Sequence, residues 1–179
     1  MRARCETSTA IRPTTWLASG QLGNVADRPG ELIDVVQPGA SLLIDSSVVL
    51  AYLAGGEAGS PRAEELFDAF VATGRNPASL SMVTVAEILV RPFQRSPAAV
   101  TTAEAFLQHF ADMRLVPVSY DVAREGARIR ASTTLPMPDA LIVATAVVVG
   151  ADLLVTDDRT WRPRLSKVAP DLEILELTG

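Results

Sequence analysis

The 179-residue chain contains very little cysteine, histidine or lysine. Cys5 is the only cysteine, so an intramolecular disulfide is impossible and we expect a reducing, cytoplasmic setting. His109 is the only histidine, which excludes a histidine-rich metal site and leaves any Ser-His-Asp triad dependent on that residue. Lys167 is the only lysine, so the other basic residues are arginines, whose planar fork suits phosphate groups well.

Long hydrophobic runs and glycine-rich phosphate loops are also missing. The longest apolar run, Ala140–Ala151, is interrupted by Thr145 and Gly150 and is too short for a bilayer, so we expect no membrane span. The absence of a GxxxxGK[ST] pattern excludes a P-loop nucleotide enzyme. The net charge of −5 argues against binding nucleic acid through bulk charge, although it does not exclude a local basic surface.

The composition changes at about residue 40. Residues 1–40 are rich in Thr, Ser, Gly and Pro and show weak periodicity. We expect them to be a loosely ordered extension, or a start assigned too early, with a short strand near Leu32–Val36. From Ser41 onward, short apolar runs alternate with helical patterns, which predicts one α/β domain over residues 41–179 with a mainly parallel sheet.

Within this domain five segments have the pattern of strands: SLLID, ASLSMV, RLVPVS, ADLLVTDD and LEILEL. The segment SPRAEELFDAFVATG predicts an amphipathic helix that ends at Gly74. We expect Pro92 to end or kink the helix that begins with TVAEILV, because proline lacks the N–H that a helix interior needs.

Acidic residues stand where predicted strands end or predicted helices begin: Asp45, Glu87, Asp139 and the Asp157–Asp158 pair. Each has an ordinary structural explanation. Asp45 suits a helix N-cap, and Thr84 with Glu87 has capping-box spacing. Asp139 suits the first turn of a helix, and the Asp pair suits a turn.

Considered together, the same acids indicate a ligand site rather than separate structural roles. In parallel α/β sheets, ligands bind beyond the carboxyl ends of the strands at the switch point. Four carboxylates converging there would repel one another unless a cation neutralised them. Oxygen ligands without His or Cys favour Mg²⁺ or Mn²⁺ over Zn²⁺, and such ions can drive phosphodiester hydrolysis.

Three segments, LLIDSSVVLAYL, TVAEILV and MPDALIVATAVVVGADLLVTDDRTW, occur in this order. Together they resemble the PIN-domain family, specifically the VapC ribonuclease toxins of type II toxin–antitoxin pairs. The resemblance implies a three-layer α/β/α sandwich with an approximately five-stranded sheet. It also implies an endoribonuclease that uses one or two Mg²⁺ or Mn²⁺ ions to hydrolyse RNA by in-line attack of water, often in tRNA or ribosomal RNA loops.

The resemblance transfers residue roles by position. The residues that it marks as catalytic are Asp45, Glu87, Asp139 and Asp158, with Ser47, Thr156 and Asp157 in support. It implies that Asp45, Asp139 and Asp158 bind the metal. Either member of the Asp157–Asp158 pair could reach the metal, and we favour Asp158. The extension before Ser41 departs from the family pattern.

Substrate and partner residues are also predicted. Arg159, Arg162 and Arg164 follow the acids closely and are predicted to bind RNA, while Trp161 between them is either a base-stacking or a buried residue. The resemblance further implies a cognate antitoxin, a homodimer, and a hydrophobic groove for the antitoxin on the first core helices. The predicted groove residues, all of which could instead belong to the core, are Tyr52, Leu53, Leu66, Phe67 and Phe70.

Other functional classes fit parts of the pattern. A PIN-type nuclease in RNA processing or DNA flap cleavage would keep the same chemistry, and a catalytically inactive PIN-like binding module would not. The intact acid set argues against the inactive module. A phosphoaspartyl receiver needs a lysine at the end of a late strand, whereas Lys167 lies in a proline-flanked loop. Haloacid-type hydrolases need Asp-x-Asp, but position 47 is Ser.

Overall fold

The computed structural model describes residues 32, 35–54 and 60–177. Five strands form one all-parallel sheet in the order β3-β2-β1-β4-β5. The strands are β1 (Leu42–Ile44), β2 (Ala78–Ser81), β3 (Met113–Val116), β4 (Leu153–Thr156) and β5 (Glu173–Glu176). The predicted α/β class and five-stranded parallel sheet are confirmed.

Helices separate the strands along the chain. They are α1 (Ser46–Ala54), α2 (Ser60–Glu65) continued by a π-helix (Leu66–Val71), α3 (Met82–Arg95), α4 (Pro97–His109), α5 (Tyr120–Ser132), α6 (Met137–Val149) and α7 (Trp161–Leu165). Pro92 does not end α3, which continues to Arg95 before the Ser96 N–H donates to Pro92 O. One proline therefore removes a single hydrogen bond without stopping this helix.

Apolar side chains cover both faces of the sheet. One core combines β-strand residues with α1, the π-helix, α3 and α4, and its largest buried side chains include Phe67 and Phe70. The other core lies under α5, α6 and α7 and includes Leu43, Ile142 and Trp161. Burial of the central strands β1 and β4 on both faces explains why they are nearly continuous apolar runs, as expected for a parallel sheet between two helical layers.

The order of the strands places the switch point between β1 and β4. Strand β2 pairs with β1, and β3 pairs with β2, so the first three strands extend to one side of β1. The chain then returns to form β4 on the opposite side of β1. The Asp45 N–H donates to Val155 O at 2.9 Å, so the β1–β4 pairing extends to the residue that follows β1. The crevice beyond these two strand ends is where a ligand site is expected in this class of sheet.

Leu32 and residues 35–40, the described residues before the start of β1, contact the folded domain. The Val36 N–H donates to Leu32 O at 2.8 Å, a helical contact, so the predicted short strand over Leu32–Val36 is wrong. Leu32 and Val36 are both buried in the first core. The buried Asn76 side chain donates to Gln37 O and Ala40 O at 2.8 Å each. The folded unit therefore begins upstream of the predicted boundary at residue 41.

A carboxylate joins β1 and β4 at their amino ends. Asp152 Oδ2 accepts from both the backbone N–H and the hydroxyl of Ser41, each at 2.7 Å. These bonds, the backbone bond first, lower the pKa of Asp152 below its ordinary value. In the part of the chain that the structure describes, no helix has the length and apolarity needed to span a bilayer.

We predict that Asp152→Ala weakens the fold in a pH-dependent way. Because the folded-state pKa of Asp152 is lowered, its stabilisation is present at neutral pH and is lost as pH falls through that value. Thermal unfolding should give a lower Tm than wild type at about pH 7, and the gap should close in acid. Exposed Asp171, mutated to Ala, is the control. A gap that persists unchanged in acid would contradict this prediction.

Candidate active site

Asp45 occupies the junction of β1 and α1, where it is 5% exposed. Its Oδ2 accepts from the Ser47 hydroxyl at 2.7 Å and from the Thr156 hydroxyl at 3.0 Å. Its Oδ1 has only a long contact, 3.4 Å, with the Ser46 hydroxyl. One carboxylate oxygen is therefore held by two strong donors, and the other keeps capacity to bind a ligand.

The two hydroxyls that hold Asp45 are themselves held by the β4–α7 loop. The Asp157 N–H donates to Ser47 Oγ and the Asp158 N–H donates to Thr156 Oγ1, both at 3.1 Å. Each hydroxyl thus accepts one bond and donates another to the same carboxylate. Ser47 and Thr156 thus orient the Asp45 carboxylate, and the Asp157 backbone N–H orients the Ser47 hydroxyl.

Glu87 lies half-buried in the second turn of α3. The helix begins at Met82, and the Ser81 hydroxyl caps it by accepting from the Val83 N–H at 3.3 Å. Thr84 and Glu87 therefore do not form the capping box that their spacing suggests, so Glu87 has no capping role to explain it. Sequence reasoning missed Ser81 as the N-cap, although a Ser between an apolar run and a helix is the usual signal.

Asp139 lies in the first turn of α6 and is half-buried. Burial raises the pKa of its carboxyl, and the charges of Asp45, Glu87 and Asp158 raise that pKa further. The buried hydroxyls of Thr145 on α6 and Ser81 are hydrogen-bonded at 3.1 Å, which joins α6 to the start of α3. The fold therefore brings Asp45, Glu87 and Asp158 within electrostatic reach of Asp139.

The structure distinguishes the two members of the Asp157–Asp158 pair. The charge of Asp158 contributes to the raised pKa of Asp139, whereas Asp157 is not among the groups that raise it. Asp158 Oδ1 also accepts from the Thr160 N–H at 2.8 Å, the turn interaction that the sequence allows for this pair. One oxygen of Asp158 is used by the turn, so the other is the one available to a ligand.

The carboxylates lie in one region of the fold but do not form a complete set of metal ligands. Over residues 32, 35–54 and 60–177, no three acidic, His or Cys side chains are already positioned to hold a metal ion. The donor set nevertheless fits a hard divalent cation, because it offers carboxylate oxygens alone and because a cation would relieve the repulsion at Asp139.

The basic segment after the acids has mixed roles. Arg162 pairs with Glu176 Oε1 at 3.1 Å and also donates to Ile174 O, so it ties α7 to β5. Arg159 and Arg164 are exposed. Trp161 is buried in the second core, so it cannot stack on a base, and the buried alternative is the correct one.

The residues predicted to line an antitoxin groove are core residues. All five, Tyr52, Leu53, Leu66, Phe67 and Phe70, are buried in the first core. The ring of Phe67 lies 4.6 Å from that of Tyr52 and packs against Phe106 and Phe110. These side chains pack against one another in the layer under the sheet, and the antitoxin groove in this region stays a prediction.

The sequence over residues 42–167 matches the family model of the PIN domain. Because this match spans more than half of the chain, the protein belongs to the PIN-domain family. The predicted family is therefore confirmed. No match appears among curated protein sequences.

Solved structures of similar fold are toxin–antitoxin proteins. A toxin–antitoxin complex from Klebsiella pneumoniae is 18% identical, with a TM-score of 0.56 over 76% of this chain and 97% of that chain. DNA-bound VapBC from Salmonella typhimurium is 17% identical, with a TM-score of 0.54 over 77% and 98%. The Mycobacterium tuberculosis sarcin–ricin-loop-cleaving toxin VapC20 is 17% identical, with a TM-score of 0.52 over 63% and 86%.

We predict that Asp139→Asn stabilises the metal-free protein at neutral pH. Because the folded-state pKa of Asp139 is raised, ionised Asp139 weakens the fold, and stability is lost as pH rises through that value. In EDTA, the variant should therefore have a higher Tm than wild type at about pH 7, and the advantage should shrink in acid. Asp171→Asn is the matched control. An equal or lower Tm for Asp139→Asn at neutral pH would refute the prediction.

Proposed function

We propose that this protein is the toxin of a toxin–antitoxin pair and acts as an Mg²⁺- or Mn²⁺-dependent endoribonuclease. The observation that carries the proposal is the site around Asp45, whose carboxylate is held by two hydroxyls and is electrostatically coupled to Asp139. Membership of the PIN-domain family supports nuclease chemistry, which is general for that family. The toxin–antitoxin context of the similar structures supports the biological role.

Asp45, Asp139 and Asp158 would hold the cation, and Glu87 would complete the set or help to hold a second ion. When bound, the ion would supply charge neutralisation at the phosphate and lower the pKa of the attacking water. The chain itself orients the ligands: Ser47 and Thr156 fix one oxygen of Asp45, and the turn at Thr160 fixes one oxygen of Asp158.

RNA is the proposed substrate. VapC20 is described as cleaving the sarcin–ricin loop, and its similarity in fold supports a structured RNA loop, in ribosomal RNA or tRNA, as the substrate here. The exposed Arg159 and Arg164 are the proposed RNA contacts. Arg162 is retained only as a secondary contact, because it already pairs with Glu176. A cytoplasmic location follows from this substrate and agrees with the single cysteine.

Two alternatives use the same fold. A PIN nuclease in RNA processing or DNA flap cleavage would keep the acids but would need no antitoxin. A non-catalytic binding module would need no carboxylate coupling, and the charges assembled around Asp139 weigh against it. Loss of growth on expression in a bacterial host, rescued by a co-expressed neighbouring small gene, would distinguish the toxin from both.

The proposed catalytic residues can be tested with purified full-length protein and a mixed RNA substrate. We predict cleavage with Mg²⁺ or Mn²⁺, none in EDTA, and a loss of at least about 100-fold in Asp45→Ala and Asp139→Ala, because each removes a metal ligand. Asp171→Ala is the control and should cleave like wild type. Undiminished cleavage by folded Asp139→Ala would overturn the site assignment.

The same assay separates the adjacent acids. We expect Asp158→Asn to lose far more activity than Asp157→Asn, since Asp158 is one of the carboxylates whose charge raises the pKa of Asp139. Sequencing RNA 5′ ends after brief expression, with Asp45→Ala as the control, would then identify the cleaved RNA and the cut position.

A homodimer is the proposed assembly, with the exposed face of α3 as its surface. Met82, Val90 and Phe93 are exposed apolar side chains that share one side of this helix. Phe93 is the most exposed of them at 68%. Exposed apolar side chains clustered on one face are typical of interaction surfaces.

We predict that Phe93→Glu converts the dimer to a monomer. A buried charge at the proposed contact would have no partner, so association should weaken while the Tm of the monomer stays close to that of wild type. Light scattering coupled to size exclusion measures the mass. Tyr120→Glu, at an 80% exposed aromatic on α5, is the control and should remain dimeric. A wild-type protein that is monomeric at micromolar concentration would contradict the proposal.

A further inference from the structure

The pair Thr84 and Glu87 has no structural explanation as a helix cap, since Ser81 is the N-cap of α3. Thr84 is completely buried, and its hydroxyl oxygen has no hydrogen-bond partner among the described residues. This isolation is unusual, because buried hydroxyls nearly always find a partner. Thr145, equally buried on α6, shows the usual behaviour and donates to Leu141 O at 2.7 Å.

Helix geometry places Thr84 and the proposed catalytic Glu87 on the same side of α3. Residues three apart share one face of a helix, and helical side chains lean toward its N-terminus. The side chain of Glu87 therefore leans toward the turn that carries Thr84. That turn opens at the carboxyl end of β2, the sheet edge on which Asp45 also lies.

Glu87 has one more rotatable side-chain bond than each aspartate of the site. Asp45 is held by two hydroxyls and Asp158 by its turn, whereas a glutamate has three rotatable side-chain bonds. The described part of the chain holds no group of three acidic side chains positioned for an ion, and a glutamate can change the position of its carboxylate by rotation about its own side-chain bonds. Glu87 is the side chain best able to do so.

We propose that Thr84 is a positioning residue whose hydroxyl donates to the Glu87 carboxylate when the acids close around a divalent cation. The Thr84 hydroxyl has no acceptor among the described residues in the metal-free protein. The Glu87 carboxylate would be a charged acceptor, and hydrogen bonds to charged groups are the stronger kind. This inference rests on the proposed metal-dependent function and assigns a role to a residue outside the acidic set.

The first test is the stability of the metal-free protein in EDTA. Thr84→Val keeps the shape of the side chain and removes only an unpaired hydroxyl, so its Tm should equal or exceed that of wild type. Thr145→Val removes a paired hydroxyl and should lower the Tm. A loss of Tm in Thr84→Val as large as that in Thr145→Val would overturn the proposal, because it would show that the hydroxyl has a structural partner.

The second test is Mn²⁺ binding to the same full-length proteins by titration calorimetry. Thr84→Val should bind Mn²⁺ about tenfold more weakly than wild type, the loss expected for one hydrogen bond to a charged group. Thr84→Ser keeps the hydroxyl and should restore most of the affinity. If wild type binds Mn²⁺ and Thr84→Val binds it equally well, the role of Thr84 is refuted while the metal site stands. If wild type does not bind Mn²⁺, the metal-dependent function fails and the role of Thr84 fails with it.

Discussion

Asp45 Oδ2 accepts hydroxyl hydrogen bonds from Ser47, at the start of α1, and from Thr156, at the end of β4. The donors belong to the two chain segments that diverge at the switch point, so a single oxygen atom joins them. Backbone N–H groups of the β4–α7 loop bind the same two hydroxyls. The position of the loop, the direction of Asp45 and the pairing of β1 with β4 therefore depend on one another.

Repulsion between the carboxylates opposes the stabilisation that these hydrogen bonds give. Asp139 enters the site from α6, where burial and three neighbouring carboxylates disfavour its charged form. The carboxylate cluster lowers the stability of the metal-free fold, and a bound cation would restore that stability. Active sites often lose stability in exchange for function in this way. The bond between Thr145 and Ser81 holds α6 against the start of α3, so repulsion among the acids cannot simply separate the two helices.

Local patterns predicted much of the fold and the identity of the candidate acids. The five predicted strand segments overlap β1 to β5, because each is a short apolar run encoded within its own segment. The predictions failed where the local structure depends on contacts between residues that are far apart in the sequence. The helical turn at Leu32 depends on the first core, and the burial of Tyr52 depends on aromatic residues far along the chain. Likewise, the pairing of Arg162 with Glu176 requires β5 to lie beside β4, which no local pattern reveals.

The buried Asn76 has a consequence for where the domain can be cut. The family match starts at residue 42, yet the amide of Asn76 binds carbonyl groups at Gln37 and Ala40, upstream of that point. Arg75 binds the carbonyl of Val36 from the same turn and stacks on Phe70. A chain shortened to the family boundary would leave a buried amide without acceptors and would remove two core side chains. The residues that pack together therefore extend further toward the N-terminus than the residues that match the family.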